Sequence, residues 1–327
     1  MSEQQQLIIF SPSGVVPEPA RVRRAAKRLA QHGFAVRLDE TALARHQRFA
    51  GTDELRLQAL HRVAQAGIAG EACVALATRG GYGLTRLLDG IDWPLLARSL
   101  EHGLRWVGYS DLTALQLAAM AHGAAGPERV AHAHDHDHQH GEHCSHAGGW
   151  WHGPMANDDF GREPADLDDV TEACFVEAMG GELEAVGFRT EPEFDGLDVT
   201  GRLWGGNLCV VASLLGTPHF PRVKGGVLFL EDVAEHPYRV ERMLLQLHQA
   251  GVLGAQKAVV LGQFTDYKKS PLDRGYTLKS AIAHLRATVP VPILTGLPFG
   301  HVPTKVCLPV GRRVTLAVQG KDAFIGW

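Results

Sequence analysis

Short apolar runs alternate with amphipathic stretches over the first third of the chain. The apolar runs "LIIF", "FAVRL", "ACVALA" and "RWV" have the length of buried strands. Between them, "PEPARVRRAAKRLAQHG" and "DELRLQALHRVAQAG" carry apolar residues at helical spacing and end at a glycine, and we expect Asp53 to cap the second helix. This alternation predicts a mostly parallel sheet with helices on both faces, whose chemistry lies in loops at the carboxyl ends of strands.

The periodic pattern stops near residue 124 and resumes near residue 197. The intervening "HAHDHDHQHGEHCSH" and "NDDFGREPADLDDV" have no apolar period, which predicts an exposed insertion followed by a linker. Beyond them, "GRLWGGNLCVVASLLG" predicts a strand, a Gly-Gly-Asn turn and a buried helix, and "VLFLEDV" predicts another strand. We therefore predict an α/β protein of three parts. A parallel-sheet domain spans 1–123, a His-rich insertion and linker span 124–196, and a smaller α/β or α+β domain spans 197–327.

Length and composition narrow the class of protein. A chain of 327 residues is long for one core and sufficient for two domains. The net charge of −4 gives no reason to expect nucleic acid or an anionic membrane as a partner. No stretch approaches the roughly 18 apolar residues of a membrane span, and the N-terminus does not resemble a signal peptide. Five cysteines without a C-x-x-C pair favour a reducing cytoplasm over a disulfide framework.

Three polar side chains stand at or just beyond the ends of apolar strands: Ser110, Glu231 and His301. A serine hydroxyl becomes a good nucleophile when a histidine takes its proton and a carboxylate orients that histidine. The order serine, acid, histidine along the chain is one of several that known triads use. In a chain with 18 histidines and 36 acidic residues such a trio also arises by chance. Simpler interpretations are a helix cap for the acid and a solvated loop position for the histidine.

The stretch "GYSDLT" around Ser110 leaves two interpretations open. It resembles the G-x-S-x-G nucleophile elbow, but Leu112 stands where the second glycine belongs, which argues against an α/β-hydrolase elbow. Either Ser110 is a nucleophile on a different strand-to-helix turn, or Ser110 or Asp111 only caps the following helix. The glycine-rich "TRGGYG" follows a neighbouring strand, so its backbone N–H groups can face the serine.

Seven motifs occur in order and cover nearly the whole chain outside the histidine-rich stretch. They are "SPSG", "RGGYG", "GYSDLTAL", "HGPM", "GRLWGGNL", "LFLEDV" and "GLPFGH". Together they resemble the serine LD-carboxypeptidases (muramoyltetrapeptide carboxypeptidases), a family that includes microcin C self-immunity hydrolases. The resemblance implies a Rossmann-like parallel-sheet domain that carries the nucleophile. It also implies a smaller, swivelling, β-rich C-terminal α/β domain that brings the acid and the base to the interface. By the same analogy, we expect a homodimer.

The resemblance also implies a set of site residues, each in one of the quoted motifs. The implied catalytic triad consists of the nucleophile Ser110, the acid Glu231 and the base His301. The implied oxyanion hole consists of the backbone N–H groups of Gly81 and Asp111, and Asn207 is the implied substrate-binding residue.

The implied reaction is hydrolysis of the bond between an L-centre and a terminal D-amino acid. In peptidoglycan recycling this reaction releases D-alanine from a murein tetrapeptide, with no metal or organic cofactor. One alternative within the family is a hydrolase that cuts the related amide of a peptide–nucleotide antibiotic. An alternative from another class is a metal-binding protein built on a hydrolase scaffold, although an intact trio of Ser110, Glu231 and His301 argues against it.

The histidine-rich stretch carries that last alternative. Alternating histidines put imidazoles on one side of an extended chain, where several can share zinc, nickel or copper. The candidate ligands are His134, His136, His138 and His140. The spacing does not match a closed structural zinc site, so the simpler interpretation is an insertion that binds divalent metal adventitiously, as a histidine tag does. The other hypothesis is that the insertion gates the site or senses metal.

Overall fold

The computed structural model describes residues 4–126, 144 and 146–327, and the elements named here lie in that part of the chain. The strands are β1 (Gln5–Phe10), β2 (Phe34–Leu38), β3 (Val74–Ala77), β4 (Arg105–Val107), β5 (Gly149–His152), β6 (Ala185–Arg189), β7 (Asp198–Asn207), β8 (Val227–Val233), β9 (Ala258–Thr265), β10 (Ile293–Leu294), β11 (Leu308–Val310), β12 (Arg313–Gln319) and β13 (Asp322–Gly326). The α-helices are α1 (Pro19–Gln31), α2 (Asp53–Ile68), α3 (Trp93–Glu101), α4 (Leu112–Ala121), α5 (Asp169–Gly180), α6 (Leu208–Leu214), α7 (Pro237–Gln249) and α8 (Leu278–Thr288).

The first sheet has six strands in the order β11-β5-β4-β3-β1-β2. All neighbours are parallel except β11 and β5, which pair antiparallel. Strands β3 and β4 lie in the middle and are buried at every position, because helices cover both faces of such a sheet. In α1, the buried residues Val22, Ala25 and Leu29 form a single stripe at helical spacing. The predicted parallel α/β sheet is confirmed.

The second sheet has seven strands in the order β10-β9-β8-β7-β12-β13-β6. Strands β7 to β10 pair parallel, whereas β12 pairs antiparallel with β7 and with β13, which pairs antiparallel with β6. The C-terminal part of the chain is thus a mixed α/β unit. It also returns to the first sheet through β11, so the two sheets share one continuous hydrophobic core.

Three local expectations are wrong. The segment predicted as an exposed insertion and linker at 124–196 contains a buried strand, because β5 is fully buried beside β4. Its four residues are too few to show a period. The Gly-Gly-Asn segment is not a turn, since β7 runs through it to Asn207 and α6 starts at the next residue. Thr52, not Asp53, caps α2, with its side chain accepting a hydrogen bond from the Leu55 N–H.

The cysteines also differ from expectation. Cys73 and Cys144 form a disulfide across 71 residues, with their Cα atoms 5.5 Å apart. The sequence carries no sign of this bond because only the fold brings the start of β3 next to the segment that precedes β5. Among the described cysteines, Cys174 and Cys307 are free and buried, and Cys209 is free and exposed. None of the described helices is long and apolar enough to cross a membrane.

Candidate active site

Ser110 lies on the tight turn between β4 and α4. Its φ angle is 63°, in the left-handed region that a serine adopts at a cost of about 1–3 kcal/mol. The first turn of α4 receives no side-chain cap from Asp111, and the Ser110 hydroxyl contacts His301 instead. The helix-cap interpretation is therefore wrong, and the turn presents the hydroxyl at the carboxyl end of a central strand. Leu112 is the first residue of α4 and is fully buried.

His301 joins Ser110 to Glu231. Its Nε2 lies 3.2 Å from the Ser110 Oγ, and its Nδ1 lies 2.8 Å from the Glu231 Oε2. Because Nδ1–H donates to the carboxylate, Nε2 is left as the acceptor for the serine hydroxyl proton. The serine comes from the first sheet, and the histidine and the acid come from loops and strands of the second. The structure thus brings together all three members of the predicted triad.

Glu231 is a fully buried carboxylate that is hydrogen-bonded through both oxygens. It lies in β8 where the pairing with β9 shifts register, an irregularity that redirects side chains. One oxygen accepts from His301, and the other accepts from the Asn207 Nδ2 at 3.1 Å. Gly300 (φ 137°) precedes His301, and a Cβ there would lie 3.3 Å from the Glu231 Oε2. A glycine is therefore required where the histidine loop passes the acid.

The local charges shift the pKa of His301. Burial lowers this pKa, but the hydrogen bond and the negative charge of Glu231 raise it by more, so that it lies above the usual value of a histidine. The pKa of the neighbouring carboxyl, Asp232, is also raised, but here burial is the cause. Burial raises the pKa of Asp232 to about 6, although its hydrogen bonds from Val233 N–H, Asn207 and Cys209 N–H act in the opposite direction.

Asn207 lies behind the triad. Its Nδ2 donates to Glu231 and, at 2.9 Å, to Asp232, while its Oδ1 caps α6 by accepting from the Val210 N–H. Its backbone N–H donates to the Thr113 Oγ1 of α4, which ties the helix that follows Ser110 to the sheet that contains Glu231. These contacts position Glu231. A direct role of Asn207 in substrate binding stays a prediction.

Asp111 holds two loops around Ser110, a role that no local sequence pattern indicates. Its buried carboxylate accepts from the Ser13 Oγ of "SPSG" at 2.5 Å and from the Leu84 N–H after the glycine-rich loop at 3.0 Å. Burial raises the pKa of this carboxyl, and the two hydrogen bonds lower it by less. The glycine-rich loop consequently passes so close that a Cβ on Gly80 would lie 2.7 Å from the Ser110 Oγ.

Two backbone N–H groups remain without acceptors beside the serine. They belong to Gly81, whose φ angle is 105°, and to Asp111; within the described ranges neither donates a hydrogen bond. A polar backbone group at a site is normally paired, so such unpaired donors are available to a ligand oxygen. Their assignment as an oxyanion hole stays a prediction.

The loop that carries His301 is fixed by a buried ion pair that sequence patterns do not reveal. The Lys305 ammonium donates to a carboxylate oxygen of Asp159 and lies 5.3 Å from the centre of the Tyr109 ring. That ring lies 5.0 Å from the imidazole of His301. Because the two charges are 146 residues apart in the chain, no local pattern connects them.

A cleft of about 840 Å³ opens beside the triad. His301 and Tyr109 form part of its wall, and its charged residues include Arg79, Arg162 and Asp158. In the part of the chain that the structure describes, no group of three His, Cys, Asp or Glu side chains could hold a metal ion. The predicted ligands His134, His136, His138 and His140 lie outside that part.

Comparisons with known proteins agree with this architecture. The family model of the LD-carboxypeptidase N-terminal domain matches residues 7–126, and that of the LD-carboxypeptidase C-terminal domain matches residues 200–316. The murein tetrapeptide carboxypeptidase of Pseudomonas aeruginosa is 29% identical over 298 residues, which span 89% of this chain and 86% of that protein. The matches assign the chain to a class of peptidases.

Solved structures extend the match to the whole fold. The crystal structure of muramoyltetrapeptide carboxypeptidase from Oxalobacter formigenes has a TM-score of 0.81 and 38% identity, and the match covers 98% of this chain and 99% of that one. The protein therefore belongs to the LD-carboxypeptidase family. The microcin C7 self-immunity protein MccF with aspartyl sulfamoyl adenosine has a TM-score of 0.80 at 19% identity, covering 100% and 97% of the two chains. At that identity the likeness shows the fold alone.

Proposed function

We propose that the protein is a serine LD-carboxypeptidase that releases the terminal D-alanine from murein tetrapeptides. The observation that carries the proposal is the continuous contact from the Ser110 hydroxyl through His301 to Glu231 at the edge of a cleft. Membership of the LD-carboxypeptidase family supplies the substrate class, since relatives that match nearly the whole chain are named for murein tetrapeptides.

The first half of the proposed reaction forms an acyl-enzyme. The Ser110 Oγ attacks the carbonyl carbon of the terminal peptide bond while His301 Nε2 accepts the hydroxyl proton. The buried carboxylate of Glu231 stabilises the imidazolium that forms. The N–H groups of Gly81 and Asp111 hold the oxyanion, and each such donor contributes about 3–4 kcal/mol.

The second half releases both products. His301 gives its proton to the amine of D-alanine, which leaves as the C–N bond breaks. A water molecule then attacks the ester carbonyl while His301 accepts one of its protons. The C–O bond to Ser110 breaks, His301 returns the proton to the Ser110 Oγ, and the shortened peptide leaves. Every proton transfer uses the same imidazole, so the proposed reaction requires no metal or organic cofactor. A homodimeric state and a cytoplasmic location stay predictions.

The proposal is tested by the choice between two substrates. The full chain is incubated with a murein tetrapeptide and, separately, with an aminoacyl sulfamoyl adenylate, and kcat/KM is measured for D-alanine release and for amide cleavage. We expect the tetrapeptide to be the better substrate by at least about tenfold, a difference of about 1.4 kcal/mol in transition-state binding. A reversed preference would replace the proposal with the antibiotic-inactivating function.

A further inference from the structure

Arg79 lies at the active-site cleft but has no part in the triad. It begins the glycine-rich loop that follows β3, two residues before Gly81. Its side chain lines the same cleft as His301 and Tyr109. The arginine is therefore close to the N–H group proposed to hold the oxyanion and on the same face as the base.

The positive charge of Arg79 is only weakly compensated. Its closest carboxylate oxygen is Asp158 Oδ1, 3.8 Å from Nε, and the buried Nε has no hydrogen-bond acceptor within the described residues. Its Nη1 makes one long hydrogen bond of 3.4 Å to the carbonyl oxygen of Val15. The side chain is 30% exposed, so water and ligands can reach it. A guanidinium has five N–H donors, and most of these are uncommitted here.

The other two arginines of the cleft are held more closely. Arg21 forms an ion pair of 3.3 Å with Glu18, and Arg162 donates from Nε to the Asp158 carbonyl oxygen at 2.6 Å. Arg79 combines the weakest internal contacts with a position in the glycine-rich loop itself. It is the cation of this cleft that is best placed to gain a partner from the substrate.

We propose that the guanidinium of Arg79 binds a carboxylate of the substrate and so makes the enzyme selective for acidic peptide ends. This inference rests on the proposed function and names the part of the substrate that the cleft recognises. Arginine and carboxylate form paired N–H···O bonds, which fix orientation as well as charge. The carboxylate has two sources: the terminal carboxylate of the departing D-alanine, or a side-chain carboxylate on the residue that supplies the attacked carbonyl.

The experiment compares substrates that differ by one carboxylate. The substrates are a tetrapeptide with a free D-alanine end, the same peptide with a terminal carboxamide, and versions whose third residue has or lacks a side-chain carboxylate. Each is assayed with wild-type enzyme, Arg79→Gln, Arg79→Lys and the matched control Arg21→Gln. In parallel, the Kd of each peptide is measured by calorimetry for the same residues at positions 79 and 21, all in a Ser110→Ala background. This background allows binding to be measured without turnover.

We expect Arg79→Gln to lower kcat/KM and weaken binding about 10- to 100-fold for the peptide with the recognised carboxylate, as for a lost charged hydrogen bond. The peptide that lacks this group should be little affected, and Arg79→Lys should retain part of the preference. If Arg79→Gln no longer prefers the free end over the carboxamide, Arg79 binds the terminal carboxylate. If it no longer prefers the third residue with a side-chain carboxylate, Arg79 binds that side chain.

Three outcomes would overturn the inference. The first is an equal loss of kcat/KM and affinity for all peptides in Arg79→Gln, which would mean that Arg79 only supports its loop. The second is no loss for any peptide. The third is the same selective loss in Arg21→Gln, which would mean a general charge effect. Absence of D-alanine release by the wild-type enzyme would instead refute the proposed function. The binding data would still decide whether Arg79 recognises a carboxylate.

Discussion

Replacing Glu231 with glutamine changes one charge at the buried end of the triad. The carboxylate accepts from His301 Nδ1 at 2.8 Å, is 0% exposed, and is supported from behind by Asn207. The amide that replaces it has almost the same size, so Glu231→Gln removes the charge and keeps the packing. It also lets an N–H group face Nδ1, which moves the imidazole proton to Nε2 and prevents that atom from accepting the serine proton.

The size of the effect follows from the charge that His301 carries in the transition state. Two unit charges about 4 Å apart at the dielectric of a protein site attract by about 4 kcal/mol, which corresponds to about 10³-fold in rate. The altered tautomer adds to this loss, and the corresponding change in a Ser–His–Asp triad lowers kcat about 10⁴-fold. We therefore expect kcat for Glu231→Gln to fall by about 10³- to 10⁴-fold.

The pH profile provides a second and independent readout. His301 must be neutral to accept a proton, so wild-type kcat/KM should fall at low pH, as the pH drops through the raised pKa of His301. In Glu231→Gln, burial still lowers the pKa of His301 while the raising contribution of the carboxylate is gone. The residual activity should therefore persist to lower pH. The acid limb is the part of the pH profile where kcat/KM falls at low pH. If this limb stays in place or moves to higher pH in Glu231→Gln, the proposed role of Glu231 is refuted.

The neighbouring carboxyl supplies the control for that experiment. Asp232 is buried beside Glu231 and shares the Asn207 amide, but it does not contact His301. Asp232→Asn should shift the acid limb in the same direction by much less. Equal shifts in the two variants would show that general negative charge, rather than the contact at 2.8 Å, sets the pKa of the base.

Three further predictions concern the frame around the site. Gly80→Ala places a methyl group 2.7 Å from the Ser110 hydroxyl and should lower kcat about 10²-fold in a protein that still folds. Full activity would show that the loop shifts to accommodate the methyl group. Lys305→Met leaves the Asp159 carboxylate buried without its cation and should destabilise the fold by about 3–5 kcal/mol in urea unfolding, whereas a loss below about 1 kcal/mol would contradict the buried pair. Replacing Cys73 and Cys144 together with serine opens a loop that spans 71 residues and should lower the free energy of unfolding by about 4 kcal/mol, and stability insensitive to this change would argue against the disulfide.

The parts of the fold that could be predicted from the sequence are those with a local signal. The strands that precede Ser110 and contain Glu231 are continuous apolar runs, and helices such as α1 show a clear apolar stripe. Parallel strands in an α/β sheet direct their carboxyl ends to one edge, so polar residues at those ends are natural site candidates. The amino-acid sequence alone therefore indicates the region of the site.

The parts that could not be predicted depend on contacts between distant residues. Strand β5 is four residues long and is completed by β11, which comes from the other end of the chain. The pair of Lys305 and Asp159 and the carboxylate contacts of Asp111 also join segments that no periodicity relates. The left-handed φ angle of Ser110 has no sequence signal either, because the residue type that usually indicates such an angle is glycine.

The central claim is that the Ser110 hydroxyl cleaves the terminal peptide bond of a murein tetrapeptide. The most direct measurement is D-alanine release by wild-type enzyme and by Ser110→Ala, with the melting temperature of both proteins as a check of folding. We predict that release falls by at least about 10⁴-fold while the fold is kept. Undiminished release by a folded Ser110→Ala variant would contradict the claim.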